Sequence, residues 1–406
     1  MGTATEPTLP LPAWAIRRSV SRRRLLSFVE DPGAANCMAP VLEPLRRRGW
    51  EVTALAAGTA YDYLRERRCP IERLPLGARA DDLLRRSDPA AIIVGTSENK
   101  RTIAHDLVAE ARNRGVMSVG LVDSPANSSQ RFRGHTDNPL FHAPDWLLVA
   151  DEWSRRTYTE TGFPQSRIVI TGHPHYDSVV ERKASLDAEG RRAVRARVMP
   201  GVPPERPIVM FLSETSTGVD AEQFRRSALY TLAGRGDCDG RTEIVLEEVL
   251  DALATLPRRP YVVLRLHPKN RVEEFARYRE EVDAVSVDEP PLDLVYAADL
   301  VIGMSTSLLT EAAILGRPTL SVLPRALERD WLSSVRSGIM PCATDRAELR
   351  RLVVAAWRQA PPGSLAGECL HFGAVDSVVG FFDAHPLDPR GRAVDHFCSA
   401  TWPNHQ

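Results

Sequence analysis

The chain alternates short apolar runs with polar loops and amphipathic stretches, which is typical of a parallel α/β sheet. The apolar runs are continuous rather than alternating, as expected for strands that are buried on both faces. In the first half the predicted strands are 25–29, 51–56, 91–95, 118–122, 145–150 and one that runs into a turn within 167–174. Helices are predicted between them at 38–48, 61–67, 103–114 and 152–161. This order of strands and helices indicates βαβ units.

The same pattern returns after a charged and proline-rich stretch at 181–206. Strands are predicted at 208–212, 261–266, 285–288, 300–302 and 319–323, and helices at 243–256, 291–297, 346–356 and 375–382. The predicted organisation is a tail at 1–20, an N-terminal domain at 21–178, a C-terminal domain at 179–360 and an extension at 361–406. Both halves end their strands in polar loops, so a ligand is expected in the cleft between them.

Composition and charge narrow the function classes. The 406 residues carry a net charge of −1, and the absence of a basic excess argues against a dedicated nucleic-acid binder. The six cysteines are scattered without a metal-binding spacing, which fits a reducing cytoplasm. Neither a signal-peptide core nor a spanning apolar stretch is expected. The glycine-rich dinucleotide fingerprint and the Walker lysine are also absent from the sequence.

The most informative stretch runs from Ala298 to Leu323 and predicts a strand, a turn, a helix and a second strand. Its hydroxyl residues Ser305, Thr306 and Ser307 stand where the helix would begin. Because a helix N-terminus offers unpaired N–H groups, this turn is predicted to bind a phosphate. Glu311, within the helix, would accept hydrogen bonds from a ribose. The alternative is that the hydroxyls only cap the helix and that Glu311 is a solvated surface residue.

Two further loops are expected beside this turn, because the carboxyl ends of parallel strands lie on one edge of a sheet. One contains Ser213 and Thr215, and the other contains His267 and Lys269. Together they would hold a phosphate and stabilise it as a leaving group. His267 would donate a hydrogen bond or a proton to it. The alternative for His267 is a structural histidine before a proline.

The N-terminal half is expected to bind the acceptor and to supply a general base. Asp31, Glu98 and Asp123 each follow a predicted strand, and Asp31 is the first choice because it opens a loop of small residues that contains Asn36. Asp31 and Asp123 could instead be turn-forming residues before prolines. In the polar loop at 126–142, His135 on the acceptor side could also serve as the base. Arg131 and Arg133 could bind an anionic acceptor or could be loop charges without a role in binding.

Three motifs resemble those of the GT-B glycosyltransferase superfamily. The stretch Val169–Pro174 resembles the "TGNP" strand of 2-epimerase-like members, with His173 where Asn is usual. Arg265–Pro268 resembles the "HP" motif of bacterial sialyltransferases and of polyol-phosphate transferases of teichoic-acid synthesis. Asp299–Pro318 resembles their nucleotide segment, with Ser305–Ser307 matching the serine pair and Glu311 the ribose-binding glutamate. The resemblance spans about residues 25–360.

The resemblance implies two Rossmann-like domains that face a cleft, with a nucleotide held by the C-terminal domain. It implies a metal-independent transferase that moves a sugar, or a polyol phosphate, from a nucleotide-activated donor to a polysaccharide or another glycoconjugate. The donor is then a substrate, and no cofactor is expected. The HP motif with paired hydroxyls favours a CMP-sugar or CDP-polyol, and UDP-sugars stay open. The expected location is the cytoplasm, with peripheral association at the inner face of the membrane.

Two departures from the family patterns bear on the activity. The acidic pair followed by glycine that serves as the base motif in sialyltransferases has no clear copy in the N-terminal half. The 2-epimerases are expected to carry an "HRREN"-type segment after the first strand of the C-terminal domain, where this chain has Ser213–Ser216. This counts against an epimerase. A hydrolysing nucleotide-sugar 2-epimerase and a non-catalytic nucleotide-sugar-binding protein stay as the alternatives.

Overall fold

The computed structural model describes residues 23–216, 221–336, 338, 340–358 and 371–385. The predicted tail at 1–20 lies outside these ranges, and so does the predicted extension except for 371–385. Two parallel sheets, one from each half of the chain, face each other across a cleft. This confirms the predicted fold class. Within the described ranges, no helix has both the length and the apolar character that crossing a bilayer requires.

The first sheet has seven strands in the order β3-β2-β1-β4-β5-β6-β7, and every pair is parallel. The strands are β1 (Arg24–Val29), β2 (Glu51–Ala56), β3 (Glu72–Arg73), β4 (Ala91–Gly95), β5 (Met117–Leu121), β6 (Trp146–Val149) and β7 (Ile168–Ile170). The strand order reverses between β1 and β4. In doubly wound sheets a ligand binds beside such a switch point.

The helices of this half are α1 (Pro32–Arg47), α2 (Gly58–Glu66), α3 (Ala80–Ser87), α4 (Ile103–Arg114) and α5 (Glu152–Glu160). The prediction for α1 was wrong at its start, because the helix begins six residues earlier than Met38. Pro32 occupies the first turn, where its fixed φ and missing N–H are tolerated. Asn36 therefore lies on a helix rather than in a loop. The apolar pattern also missed β3 and α3, which are short.

The second sheet has six strands in the order β10-β9-β8-β11-β12-β13, again all parallel. The strands are β8 (Ile208–Leu212), β9 (Tyr261–Arg265), β10 (Ala284–Ser286), β11 (Leu300–Gly303), β12 (Thr319–Val322) and β13 (Cys342–Ala343). Its switch point lies between β8 and β11. The helices are α8 (Ala221–Phe224), α9 (Arg241–Leu253), α10 (Pro291–Ala297), α11 (Ser307–Ile314), α12 (Ser333–Arg336) and α13 (Arg346–Arg358).

Two crossings join the halves. The first is α6 (Pro174–Glu189), which is followed by α7 (Arg191–Val198) in the charged stretch where the pattern gave no helix. The second is α14 (Ala374–Ala384), the short helix predicted near 375–382, which returns to the first half. Its Phe382 ring meets Trp50 edge-on at 5.5 Å. These crossings set the geometry of the cleft, because α6 packs against both α1 and α11.

Candidate active site

A cavity of about 340 Å³ lies between the carboxyl edges of the two sheets. Of the residues predicted from the sequence, the cavity is lined by Asn36, Asp123, Ser213, Thr215, His267, Ser305, Thr306, Ser307 and Glu311. Side chains to which the sequence reasoning gave no role complete the wall, among them Tyr63, His173, Tyr176, Glu214 and Arg265. The three strand-end loops of the second half therefore meet at one edge, as expected.

The start of α11 forms one end of the cavity. Thr306 is the N-cap residue, and its side chain accepts a hydrogen bond from the backbone N–H of Leu308. Ser305 precedes the cap, and Ser307, which is exposed, begins the helix. The predicted helix start is confirmed to within two residues. Unpaired N–H groups and the positive end of the helix dipole thus face a cavity lined with hydroxyls.

Glu214 ties this turn to the end of β8. Its Oε1 accepts from the backbone N–H of Ser305 at 2.5 Å, and its Oε2 accepts from Ser305 Oγ at 3.0 Å. The guanidinium of Arg241, at the start of α9, donates to Glu214 Oε2 at 2.6 Å and to Glu328. Arg241 and Glu328 are both completely buried. This ion network holds the turn before α11 against β8.

His267 is held at the end of β9 by two hydrogen bonds. Its backbone N–H donates to Ser213 Oγ at 2.8 Å, and its Nδ1 accepts from the backbone N–H of Lys269 at 3.1 Å. Because Nδ1 accepts, the proton of the neutral ring lies on Nε2. Burial lowers the pKa of His267 to about 4; Glu214 and Asp31 oppose the shift, and Lys269 adds to it. His267 is therefore a neutral hydrogen-bond donor near pH 7.

Glu311 lies 3.3 Å from Nε2 of His175 on α6. Its side chain is almost completely buried, so the alternative that it is a solvated surface residue is wrong. Burial would raise the pKa of Glu311, but His175, with smaller contributions from Ser307 and His173, holds it below the usual value. Glu311 is thus an ionised acceptor at the cavity wall. His175 could have been considered from the sequence, because it stands two residues after His173, in the motif that resembles the "TGNP" strand.

His173 occupies the N-cap position of α6 and lines the cavity. Its ring stacks on Tyr176 at 4.5 Å, and its Nδ1 is buried without a hydrogen-bond partner among the described residues. Burial, with His175 second, lowers the pKa of His173 to about 4. His173 is therefore a neutral imidazole at the start of α6, the helix that crosses between the halves.

On the opposite wall, Asp123 follows β5. Its Oδ1 accepts from Thr96 Oγ1 at 2.7 Å and from Arg131 Nη1 at 3.2 Å. Its Oδ2 lies so close to α1 that a Cβ at Gly33 would come within 2.5 Å of it, so a larger residue at this position would displace the Asp123 carboxylate. Asn36, one turn further along α1, accepts from the Tyr63 hydroxyl at 2.6 Å.

Asp31 lies outside the cavity wall. Its Oδ1 accepts from Lys269 Nζ at 2.8 Å across the cleft, and its Oδ2 accepts from Ser97 Oγ at 2.7 Å. Burial would raise the pKa of Asp31, but the charge and hydrogen bond of Lys269, with Ser97 and Arg131, keep it below the usual value. Lys269, which was predicted to bind the phosphate, therefore forms an ion pair with a carboxylate of the other half.

The remaining predicted residues also lie outside the cavity wall. Arg131 is buried behind Asp123. Arg133 bonds within its own loop, to the Thr136 carbonyl at 2.9 Å, and His135 is exposed. Glu98 accepts from Asn127 Nδ2 at 3.0 Å. The structure thus gathers the residues predicted for the nucleotide more completely than those predicted for the acceptor.

The two Rossmann-like sheets and the cleft between them are the GT-B fold. A family model described as "Protein of unknown function (DUF354)" matches residues 234–355, which is less than half of the chain. No curated protein matches the chain in sequence.

Solved structures of the same fold share little sequence with the chain. UDP-GlcNAc 2-epimerase from Methanocaldococcus jannaschii, in complex with UDP-GlcNAc and UDP, has 14% identity and a TM-score of 0.63, over 89% of this chain and 100% of that one. The Neisseria meningitidis enzyme bound to UDP-GlcNAc has 13% identity and a TM-score of 0.62, over the same shares. Anabaena Alr3699/HepE with UDP-glucose has 13% identity and a TM-score of 0.52, over 82% and 90%. At these identities the likeness establishes the fold alone.

Proposed function

We propose that the protein is a GT-B enzyme that transfers a sugar, or a polyol phosphate, from a nucleotide-activated donor to a glycan or glycoconjugate acceptor. One observation carries the proposal. A helix N-terminus and a neutral imidazole N–H lie on one wall of the cavity, and the Asp123 carboxylate lies on the other wall. Donors for a leaving phosphate thus face an acceptor for a proton.

The phosphate of the donor would bind at the start of α11. The N–H groups of the helix, the hydroxyl of Ser307 and Nε2–H of His267 would donate to its oxygens, and Glu311 would accept from the ribose. These donors stabilise the charge that grows on the phosphate as the bond to the transferred group breaks. With a pKa of about 4, His267 would stabilise the leaving group by hydrogen bonding rather than protonate it.

The general base would be Asp123 rather than Asp31. Both follow strands and both pair with a cation, Asp31 with Lys269 and Asp123 with Arg131. Asp123 lines the cavity, however, and Asp31 does not. Asp123 would take the proton of the acceptor hydroxyl while that oxygen bonds to the transferred group and the nucleotide leaves with its phosphate. Arg131 and Thr96 would orient Asp123 through its Oδ1.

The donor nucleotide is the first property to test. The motifs favour CMP or CDP, while the structures of similar fold contain UDP or UDP-sugars. Thermal-shift measurements with CMP, CDP, UDP, GDP and ADP should give one pyrimidine nucleotide that raises the Tm, because a ligand of the folded state stabilises it by mass action. His267→Ala and Ser305→Ala should lose turnover of the matching donor and keep their fold. Wild-type turnover in both variants would refute the proposal.

A hydrolysing 2-epimerase is the second candidate, because the 2-epimerase structures superpose with higher TM-scores than Alr3699/HepE. Incubation with UDP-GlcNAc and no acceptor separates the two. An epimerase would release UDP together with the 2-epimer of the free hexosamine, and a transferase would leave the donor intact. A non-catalytic binding protein would bind a donor and consume none of it, whether an acceptor is present or not.

The acceptor and the place of the reaction belong to the same proposal. A surface-polysaccharide acceptor would bring a cytoplasmic enzyme to the inner face of the membrane.

A further inference from the structure

A second cavity, of about 430 Å³, lies at the opposite edge of the second sheet from the candidate active site. Pro207, Asp299 and Pro318 in its wall stand directly before β8, β11 and β12, so the cavity faces the amino ends of these strands. The rest of its wall consists of Arg191, Arg258, Leu300, Arg317, Ala356 and Trp357. It therefore shares no residue with the cleft.

The wall carries more positive than negative charge. It contains the three arginines Arg191, Arg258 and Arg317 but only one carboxylate, that of Asp299. Asp299 is already engaged, because it accepts from Arg191 Nη2 at 2.5 Å, from Arg195 Nη1 at 3.1 Å and from the backbone N–H of Ile208 at 2.8 Å. Two of the three arginines are thus left without a carboxylate in the cavity wall.

Hydrogen-bonding capacity is left over as well. Within the described residues Arg317 has no ion pair, and its guanidinium lies 5.4 Å from the centre of the Tyr296 ring. The Nε atoms of Arg191 and Arg317 are both buried without a hydrogen-bond partner in the described part of the chain. Burial, followed by the charge of Arg191, lowers the pKa of Arg317. Guanidinium groups that lack a carboxylate partner are strong donors to oxyanions, so Arg258 and Arg317 favour an anionic ligand in this cavity.

The rest of the wall is apolar. Trp357 and Ala356 come from the end of α13, and Pro207, Leu300 and Pro318 come from the strand starts. Arginines beside an aromatic ring suit a ligand that combines an oxyanion with a flat or apolar body. We propose that this cavity is a second ligand site, which binds a small organic phosphate or carboxylate through Arg191, Arg258 and Arg317 and packs its body against Trp357.

Isothermal titration with phenyl phosphate, benzoate and inorganic phosphate tests the site. The double variant His267→Ala/Ser307→Ala serves as the background, because the proposed function places donors to the phosphate of the cleft at these two residues. Arg317→Gln and Arg258→Gln should each raise the Kd of the preferred anion about tenfold, since each removes a charge-assisted contact. Arg350→Gln, at an exposed arginine of the same α13 outside the wall, should leave it unchanged. Trp357→Ala should weaken the binding of phenyl phosphate or benzoate, and it should leave the binding of inorganic phosphate unchanged.

Phenyl phosphate binding with no benzoate binding would identify the ligand class as phosphates, and the reverse would identify it as carboxylates. Arg258 is exposed, so Arg258→Gln tests the site even if Arg317→Gln disturbs the fold. The proposal is overturned if none of the three anions binds up to ~10 mM, a weak affinity even for a small ligand. It is equally overturned if binding survives both Arg258→Gln and Arg317→Gln.

Discussion

The switch points of the two sheets carry the same arrangement, but their carboxylates take their counter-charge from different places. In each sheet a carboxylate follows the first central strand and accepts from a serine that follows the neighbouring strand: Asp31 from Ser97, and Glu214 from Ser305. Glu214 is neutralised within its own half by the buried Arg241. Asp31 is neutralised across the cleft by Lys269, whose side chain is 39% exposed.

The first switch point depends on contact across the cleft, and the second is fixed within its own half. The Glu214 network is buried and leads through Glu328 to Arg325, so the turn before α11 is preorganised. Asp31 keeps its paired cation, Lys269, only while the two halves stay in contact, and within its own half it has the weaker influence of Arg131. On that side the carboxylate with internal support is Asp123, which Arg131 and Thr96 hold within one half.

The largest effect is expected at Asp123. Asp123→Asn removes the proposed base but keeps a group that can accept from Thr96, so kcat should fall by about 10²–10⁴. Binding of the donor nucleotide, measured by titration, should stay unchanged, because its phosphate binds on the other wall. The control is Asp31→Asn, which should reduce kcat less than about tenfold, a loss well below that of a general base. A larger loss of kcat in Asp31→Asn than in Asp123→Asn would identify Asp31 as the base. It would also show that the carboxylate paired across the cleft, and not the one supported within its own half, does the chemistry.

The next effect concerns the buried network around Arg241. Arg241→Met leaves Glu214 and Glu328 without their cation, which should lower the free energy of unfolding by about 3–5 kcal/mol. Urea unfolding gives this value directly. Arg235 is the matched control, because it also pairs with two carboxylates, Asp251 and Glu281, but at the surface.

Arg235→Met should lower the free energy of unfolding by about 1 kcal/mol or less, since exposed ion pairs contribute little. Equal losses in the two variants would mean that burial does not distinguish the Glu214 network.

The sequence was informative where a site residue adjoins its own strand end. Ser213, His267 and Ser305 each follow a buried apolar run, so the parallel sheet alone brings them together. Glu214 stood in the same loop but was not assigned a role. Its function depends on Arg241, which is 27 residues away and whose burial leaves no local signal.

The first half was harder to predict because its polar residues act through distant partners. Arg131 was proposed as an acceptor ligand from its place in a polar loop, but its guanidinium bonds to Thr96, 35 residues earlier. Loop composition gives the charge of a side chain and not its direction. The helical start at Pro32 was missed for a different reason. The small residues that follow it fit a loop and a closely packed helix equally well.

A moderate effect is expected from pH. The pKa of His267 is about 4 in the folded state, against 6.5 for an ordinary histidine, so the unfolded chain binds a proton first as the pH falls. The contribution of His267 to stability is therefore nearly constant above pH 6.5 and is lost as the pH falls from 6.5 to 4. The contribution of His267 should be a loss of roughly 2 kcal/mol at pH 5. Urea unfolding at pH 7 and pH 5 measures the difference, and His267→Gln should reduce it.

An unchanged pH dependence in His267→Gln would mean that His267 is not buried as a neutral ring. His173→Gln provides a second variant, because the pKa of His173 is also about 4.

The smallest effect is expected at Lys269, and it tests the cross-cleft half of the comparison. Lys269→Met removes an ion pair in which both side chains are partly exposed, so the free energy of unfolding should fall by only about 0–1 kcal/mol. The pKa of Asp31 should rise, because Lys269 holds it down. Nucleotide affinity should change less than about threefold, since Lys269 meets Asp31 rather than the cavity. A tenfold or greater loss of nucleotide affinity would instead return Lys269 to the phosphate site, as the sequence alone predicted.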